Sequence, residues 1–107
     1  ILTNRFSASS SEVFVGAIQD YSRGTIVGTK TFGKGSVNIY RELSDKSGLF
    51  LTFGRWYTPN GRLIEGEGIE PDIYVDVSDE SDRDMTLEKA IDLLRQRVNA
   101  RIPSTVG

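Results

Sequence analysis

The chain has 107 residues, with 13 basic side chains against 15 acidic ones and a formal net charge of −2. That makes one small domain at most, able to bury somewhat more than half of its unfolded surface, and with no basic stripe it argues against nucleic acid as a partner. Cysteine and histidine are both absent, which excludes disulfides, thiol chemistry and a Ser/His/Asp triad within these residues, and no apolar run is long enough to span a membrane.

Ile1-Leu2-Thr3 reads as the end of a strand that delivers a serine-rich loop, Phe6-Ser7-Ala8-Ser9-Ser10-Ser11. A helix is predicted from about Ser10 to Arg23. Val13, Phe14, Ala17, Ile18 and Tyr21 fall on one face at a 3.6 period, with Glu12, Gln19, Asp20 and Arg23 opposite. Ser9 then stands at the helix N-terminus, where free backbone amides and the helix dipole can stabilise an oxyanion. The same residues also spell a capping box, Ser9-x-x-Glu12. Locally, Ser9 is a nucleophile or a cap.

A serine without histidine needs another base, and Lys34, held between Gly33 and Gly35 with Phe32 as apolar cover, is the candidate. Lysine can serve if burial keeps it neutral; the alternative is an exposed loop lysine. Gly28-Thr29-Lys30-Thr31-Phe32-Gly33-Lys34-Gly35 nearly forms a phosphate loop. Gly35 stands where that motif needs Ser or Thr, however, and an alternating strand follows instead of a helix, so nucleotide binding is set aside.

Strands are predicted for Thr25 to Lys30 and Ser36 to Leu43, then a turn at Ser44-Asp45-Lys46-Ser47-Gly48 leading into Leu49 to Tyr57. In that last strand Leu49, Leu51 and Phe53 alternate with Phe50, Thr52 and Trp56. Both faces are largely apolar, which implies burial on two sides or contact with a partner. Pro59-Asn60-Gly61 makes a tight turn, Gly66 to Pro71 an acidic loop, and Ile73 to Val77 a short strand. Residues 78–84 read as an acidic linker without the spacing of a calcium loop, and no metal site is expected. A helix from about Thr86 to Arg101 carries the stripe Leu87, Ala90, Ile91, Leu94 and Val98, expected to face a core, and ends before Pro103.

The segments Asn4 to Glu12, Ala17 to Asp20, Ile26 to Val37, Arg55-Trp56-Tyr57-Thr58-Pro59-Asn60-Gly61-Arg62 and Gly66 to Ile73 together resemble the core of the carboxyl-terminal processing, or tail-specific, proteases. The likeness runs from about Leu2 to Val75 in several ordered motifs. By that resemblance Ser9 is the nucleophile, Lys34 the general base and the Ser10 amide an oxyanion donor. Asp20 plays a supporting part, as does Asn38, which stands where members often carry a glutamine that orients the lysine. No cofactor is implied. The resemblance further implies a PDZ-type domain and a second oxyanion donor upstream, so the chain reads as a fragment.

The expected fold class is α/β, the C-terminal portion of a ClpP/crotonase-like mixed-sheet core, with residues 1–77 as core, 78–84 as linker and 85–107 as C-terminal helix and tail. The expected activity is that of a serine endopeptidase cutting near the C-termini of unfolded or tail-tagged proteins in an extracytoplasmic compartment, with the fragment inactive alone. The alternative is a non-catalytic peptide-binding or scaffold module. A homo-oligomer or strand-exchanged dimer is the further partner expectation.

Overall fold

The computed structural model describes residues 1–77 and 83–101. In chain order the elements are β1 (Leu2–Thr3), α1 (Ser10–Asp20), β2 (Val27–Gly28), β3 (Ser36–Glu42), β4 (Gly48–Arg55), β5 (Ile73–Tyr74) and α2 (Met85–Arg101). The expected α/β class is what the chain adopts.

The first three elements form a βαβ unit. Antiparallel neighbours can turn back in two residues, but parallel ones need a crossover, and α1 provides it between β1 and β2, which pair Leu2 with Val27 and Thr3 with Gly28. Strand β5 adds to the other side of β2, again parallel, giving the order β1-β2-β5. These strands are shorter than the predicted run from Thr25 to Lys30. Their ladder is bounded by bonds from Val27 N to Ile1 O at 2.8 Å and from Thr29 N to Thr3 O at 3.0 Å, after which Lys30 turns outward to an ion pair with Glu70 at 3.2 Å.

Helix α1 ends three residues before the predicted Arg23. Ser22, at φ 51, takes the left-handed conformation, and the amides of Ser22 and Arg23 close back on Gln19 O and Ile18 O, both at 2.9 Å. This pair of bonds is a Schellman stop. The helix is also rotated from its predicted orientation. Glu12, Val15 and Gly16 point inward, while Phe14 and Tyr21 are 57% and 68% exposed. The apolar stripe pointed one way, and four hydrogen-bond donors around Glu12 pulled the helix the other.

The core is small: Val15, Ile26, Ile64 and Ile69 cluster, with Val13 and Ile18 packed against them. It lies between α1, β2 and the 64–69 loop. Strands β3 and β4 form an antiparallel hairpin with a bulge between Val37 and Asn38, and they touch no other strand or helix among the described residues. The result is elongated. The radius of gyration is 19.3 Å and the extents 81 × 35 × 20 Å, against about 13 Å for a compact chain of this length.

Helix α2 is capped by Asp84, whose Oδ1 accepts the Leu87 amide at 2.9 Å. It docks on β1 and β2, and Arg97 donates to Thr25 Oγ1 at 2.7 Å. The stripe expected to face a core does so only in part. Ile91 is 37% exposed, Leu94 61% and Val98 58%, because a two-residue-deep sheet offers too little surface to cover a helix of 17 residues. Of the expected linker, residues 78–82 lie outside those described. Among the described residues no helix is long and apolar enough to cross a membrane.

Candidate active site

Ser9 closes the loop from β1 into α1 with φ 60 and ψ −125, in a region that residues with a side chain rarely occupy and that costs on the order of 1–3 kcal/mol. It is exposed. Ser9 and Glu12 stand in capping-box positions, but only the glutamate's half is a close bond. Ser9 N donates to Glu12 Oε2 at 2.9 Å, whereas the Ser9 hydroxyl gives the helix no cap bond and the Glu12 amide goes to Ser9 O at 2.9 Å. The hydroxyl is thus left free in front of the helix N-terminus. The Ser10 amide, beside it, donates to no protein acceptor among the described residues.

The carboxylate of Glu12 is fully buried, at 0% exposure, and holds two loops together. Oε1 accepts Thr31 Oγ1 and Gly33 N, each at 2.6 Å, and Oε2 accepts Lys34 N at 2.8 Å in addition to Ser9 N. Four donors and no acceptor suit an ionised carboxylate. Two donors on one oxygen bring the Ser9 and Lys34 amide nitrogens within about 6 Å of each other. Thr31 extends the arrangement, because its hydroxyl accepts the Ile69 amide at 2.7 Å while donating to Glu12. A further bond, Phe32 N to Ser7 O at 2.9 Å, stitches the serine loop to the lysine loop directly.

Gly33 and Gly35 on either side of Lys34 meet different needs. Gly33 has φ +89, open to glycine, and a Cβ on Gly35 would lie 2.6 Å from Glu65 N and 2.9 Å from Ile64 Cβ. The Gly35 amide donates to Glu65 Oε2 at 2.6 Å. Lys34 itself is exposed, and its ammonium has no hydrogen-bond or ion-pair partner among the described residues. The apolar cover expected of Phe32 is not there, since the ring is 64% exposed.

The two supporting residues lie elsewhere. Asn38, on β3, accepts the Thr52 hydroxyl across the hairpin at 2.5 Å. Asp20 sits at the far end of α1, where it binds the Asn60 amide at 2.9 Å and the Arg62 guanidinium. Burial of its carboxylate works against the charge, but hydrogen bonds from Thr58, Asn60 and Arg62 outweigh it and hold the carboxyl below the usual range. A hollow of about 430 Å³, lined in part by Leu2, Thr3, Ser7, Ser10, Ser11 and Phe14, opens beside the serine run.

The structure brings the main chains of Ser9 and Lys34 together on Glu12 Oε2, and sequence reasoning missed Thr31 and the role of Glu12. The available signal was Glu12 itself, an acid three residues after the serine whose second reading, beyond a cap, is a buried acceptor.

A family model described as peptidase family S41 matches residues 1–75. The chain belongs to this family. Within S41, it is 51% identical over 76 residues to a "Probable CtpA-like serine protease" of Staphylococcus aureus, a match covering 71% of this chain and 15% of the relative. Among solved structures, it is 47% identical to the photosystem II D1 C-terminal processing protease, with a TM-score of 0.64, covering 70% of this chain and 19% of that one. The tricorn protease shares the fold at 23% identity, with a TM-score of 0.77 over 92% of this chain and 10% of its own. The chain thus spans 15% of the length of the curated S41 relatives it matches.

Proposed function

We propose that the chain carries the nucleophile and the base of a serine endopeptidase, Ser9 and Lys34, that cuts near the carboxyl ends of unfolded or tail-tagged proteins. The observation that carries this is the free, positive-φ Ser9 at the mouth of α1, with its main chain tied through one Glu12 oxygen to that of Lys34. In the reaction, Lys34 is the base that takes the proton of Ser9 Oγ as the oxygen attacks the scissile carbonyl. The Ser10 amide and the dipole of α1 hold the resulting oxyanion. Lys34 then passes the proton to the leaving amine, and water repeats the sequence on the acyl-enzyme. Asp20 and Asn38 act at a distance, by fixing the 58–62 turn on α1 and the start of the hairpin.

The C-terminal preference rests on the family, as does the extracytoplasmic setting. For the 107 residues by themselves the proposal is no turnover, because Lys34 is exposed and the arrangement proposed here uses one oxyanion donor, the Ser10 amide. Loss of a single donor costs roughly 100- to 1,000-fold.

The test uses the complete protease that bears this segment and an unfolded protein substrate. Ser9→Ala and Lys34→Arg are each expected to lower hydrolysis by roughly 1,000-fold or more, the second because arginine does not give up its proton. An active Lys34→Arg enzyme overturns the assignment of the base, and an active Ser9→Ala enzyme that of the nucleophile.

A further inference from the structure

Three consecutive amides at the proposed base each donate to a carboxylate. Gly33 N and Lys34 N bind the two oxygens of Glu12 at 2.6 and 2.8 Å, and Gly35 N binds Glu65 Oε2 at 2.6 Å. The two acids come from different parts of the chain. Glu12 belongs to α1, whereas Glu65 follows the core residue Ile64, in the loop that runs on to Ile69.

The direction in which a side chain leaves the backbone follows from the two planar peptide units that flank its Cα. The unit before Lys34 is held twice, through the Lys34 amide on Glu12 Oε2 at 2.8 Å and through Gly33 O, which accepts the Gly66 amide at 2.9 Å. The unit after Lys34 is held once. Among the described residues its one hydrogen bond is that of the Gly35 amide to Glu65. Gly33 and Gly35 add no side chain to restrain these planes. The Lys34 ammonium adds none either, having no hydrogen-bond or ion-pair partner among the described residues. A charged acceptor holds an amide more firmly than a neutral one, so removing Glu65 frees one of the two planes that aim the lysine.

We propose that Glu65 is a positioning residue for the base: its carboxylate fixes the Lys34–Gly35 peptide unit and thereby aims the Lys34 side chain. The inference rests on the reading of Lys34 as the base. Glu65 touches neither substrate nor a reacting atom in this scheme and acts through the backbone alone.

The complete protease that bears this segment, assayed on an unfolded protein substrate, tests this. Glu65→Ala is expected to lower kcat by roughly 10- to 100-fold with KM little changed, the scale of loss that a misplacement of about 1 Å produces. Glu65→Gln keeps a carbonyl oxygen for the single donor and should restore most of the rate. Glu67→Ala removes an exposed acid of the same loop and should leave the rate at the parental value. Hydrogen exchange in Glu65→Ala should quicken at Lys34 and Gly35 and not across the core. Parental kcat in Glu65→Ala, no recovery in Glu65→Gln, an equal loss in Glu67→Ala, or exchange that quickens throughout the domain would each overturn the role. Lys34→Ala separates the two readings. Loss of hydrolysis there beside parental rates in Glu65→Ala overturns the positioning role alone, whereas parental rates in Lys34→Ala overturn the base and this role with it.

Discussion

Glu12 of α1 and Lys34 of the glycine loop meet through a 2.8 Å bond from the lysine's amide to carboxylate Oε2, the oxygen that also accepts the Ser9 amide at 2.9 Å. A single buried side chain therefore sets the spacing of two loops that come from different parts of the chain.

The first prediction follows from the donor count. Glu12→Gln would aim an NH₂ at oxygens' former partners, all of which are themselves donors. Its cost should be about 2–4 kcal/mol, since buried donors left unpaired cost roughly 1–3 kcal/mol each. Urea unfolding of the two chains measures this. A loss below about 1 kcal/mol would show that the carboxylate is not what joins the loops.

Ser9 offers a different contrast, because its hydroxyl caps nothing and its backbone is strained. Ser9→Gly is expected to raise stability by about 1 kcal/mol by relieving the positive φ, while Ser9→Ala leaves it nearly unchanged. In the complete protease both should be inactive. A glycine variant less stable than the parent would mean that the conformation carries no strain.

At Gly35, a methyl group would meet the Ile64–Glu65 stretch, both its backbone and the Cβ of the core isoleucine. Neither can swing away, so Gly35→Ala should cost about 1–3 kcal/mol by overpacking. Gly61→Ala serves as a control, having no atom within 4 Å of the added carbon but a positive φ. Thermal unfolding of both separates the steric cost at Gly35 from backbone strain alone. Equal, small losses would remove the close approach as the reason for the glycine.

The carboxyl of Asp20 is held below its usual value near 3.8 despite burial. A depressed carboxyl adds stability that is complete above the unfolded value and is lost as pH falls through the folded one. Asp20→Asn should therefore cost about 1–2 kcal/mol at neutral pH, discounted for the half-exposed Arg62. The gap between parent and variant should close below the ordinary aspartate range. Urea midpoints at neutral and strongly acidic pH measure both values, and a gap that stays constant would contradict the linkage.

Much of the site could be read from one dimension. Ser9, Ser10 and Lys34 stood out because three serines before a helix and a lysine between two glycines are compositions that packing does not require. The hairpin was equally legible, since Ser44-Asp45-Lys46-Ser47-Gly48 between alternating strands can only turn. Its two apolar faces read as burial on two sides or contact with a partner, and among the described residues they stand exposed.

Periodicity misled where it ranked residues by hydrophobicity. It put Glu12 outward and Phe14 and Tyr21 inward, and the chain does the reverse. An apolar face gains about 25 cal/mol per Å² wherever it finds cover, but donors fixed in a loop accept only a charge brought to one point. The sequence by itself determined the element types, their order and the residues with chemistry to offer. The tertiary structure decided the rotation of α1 and left Lys34 exposed, without the cover expected of Phe32. Which way a helix turns depends on the partners that Thr31, Gly33 and Lys34 present from some twenty residues away, and no local pattern records where those donors will stand.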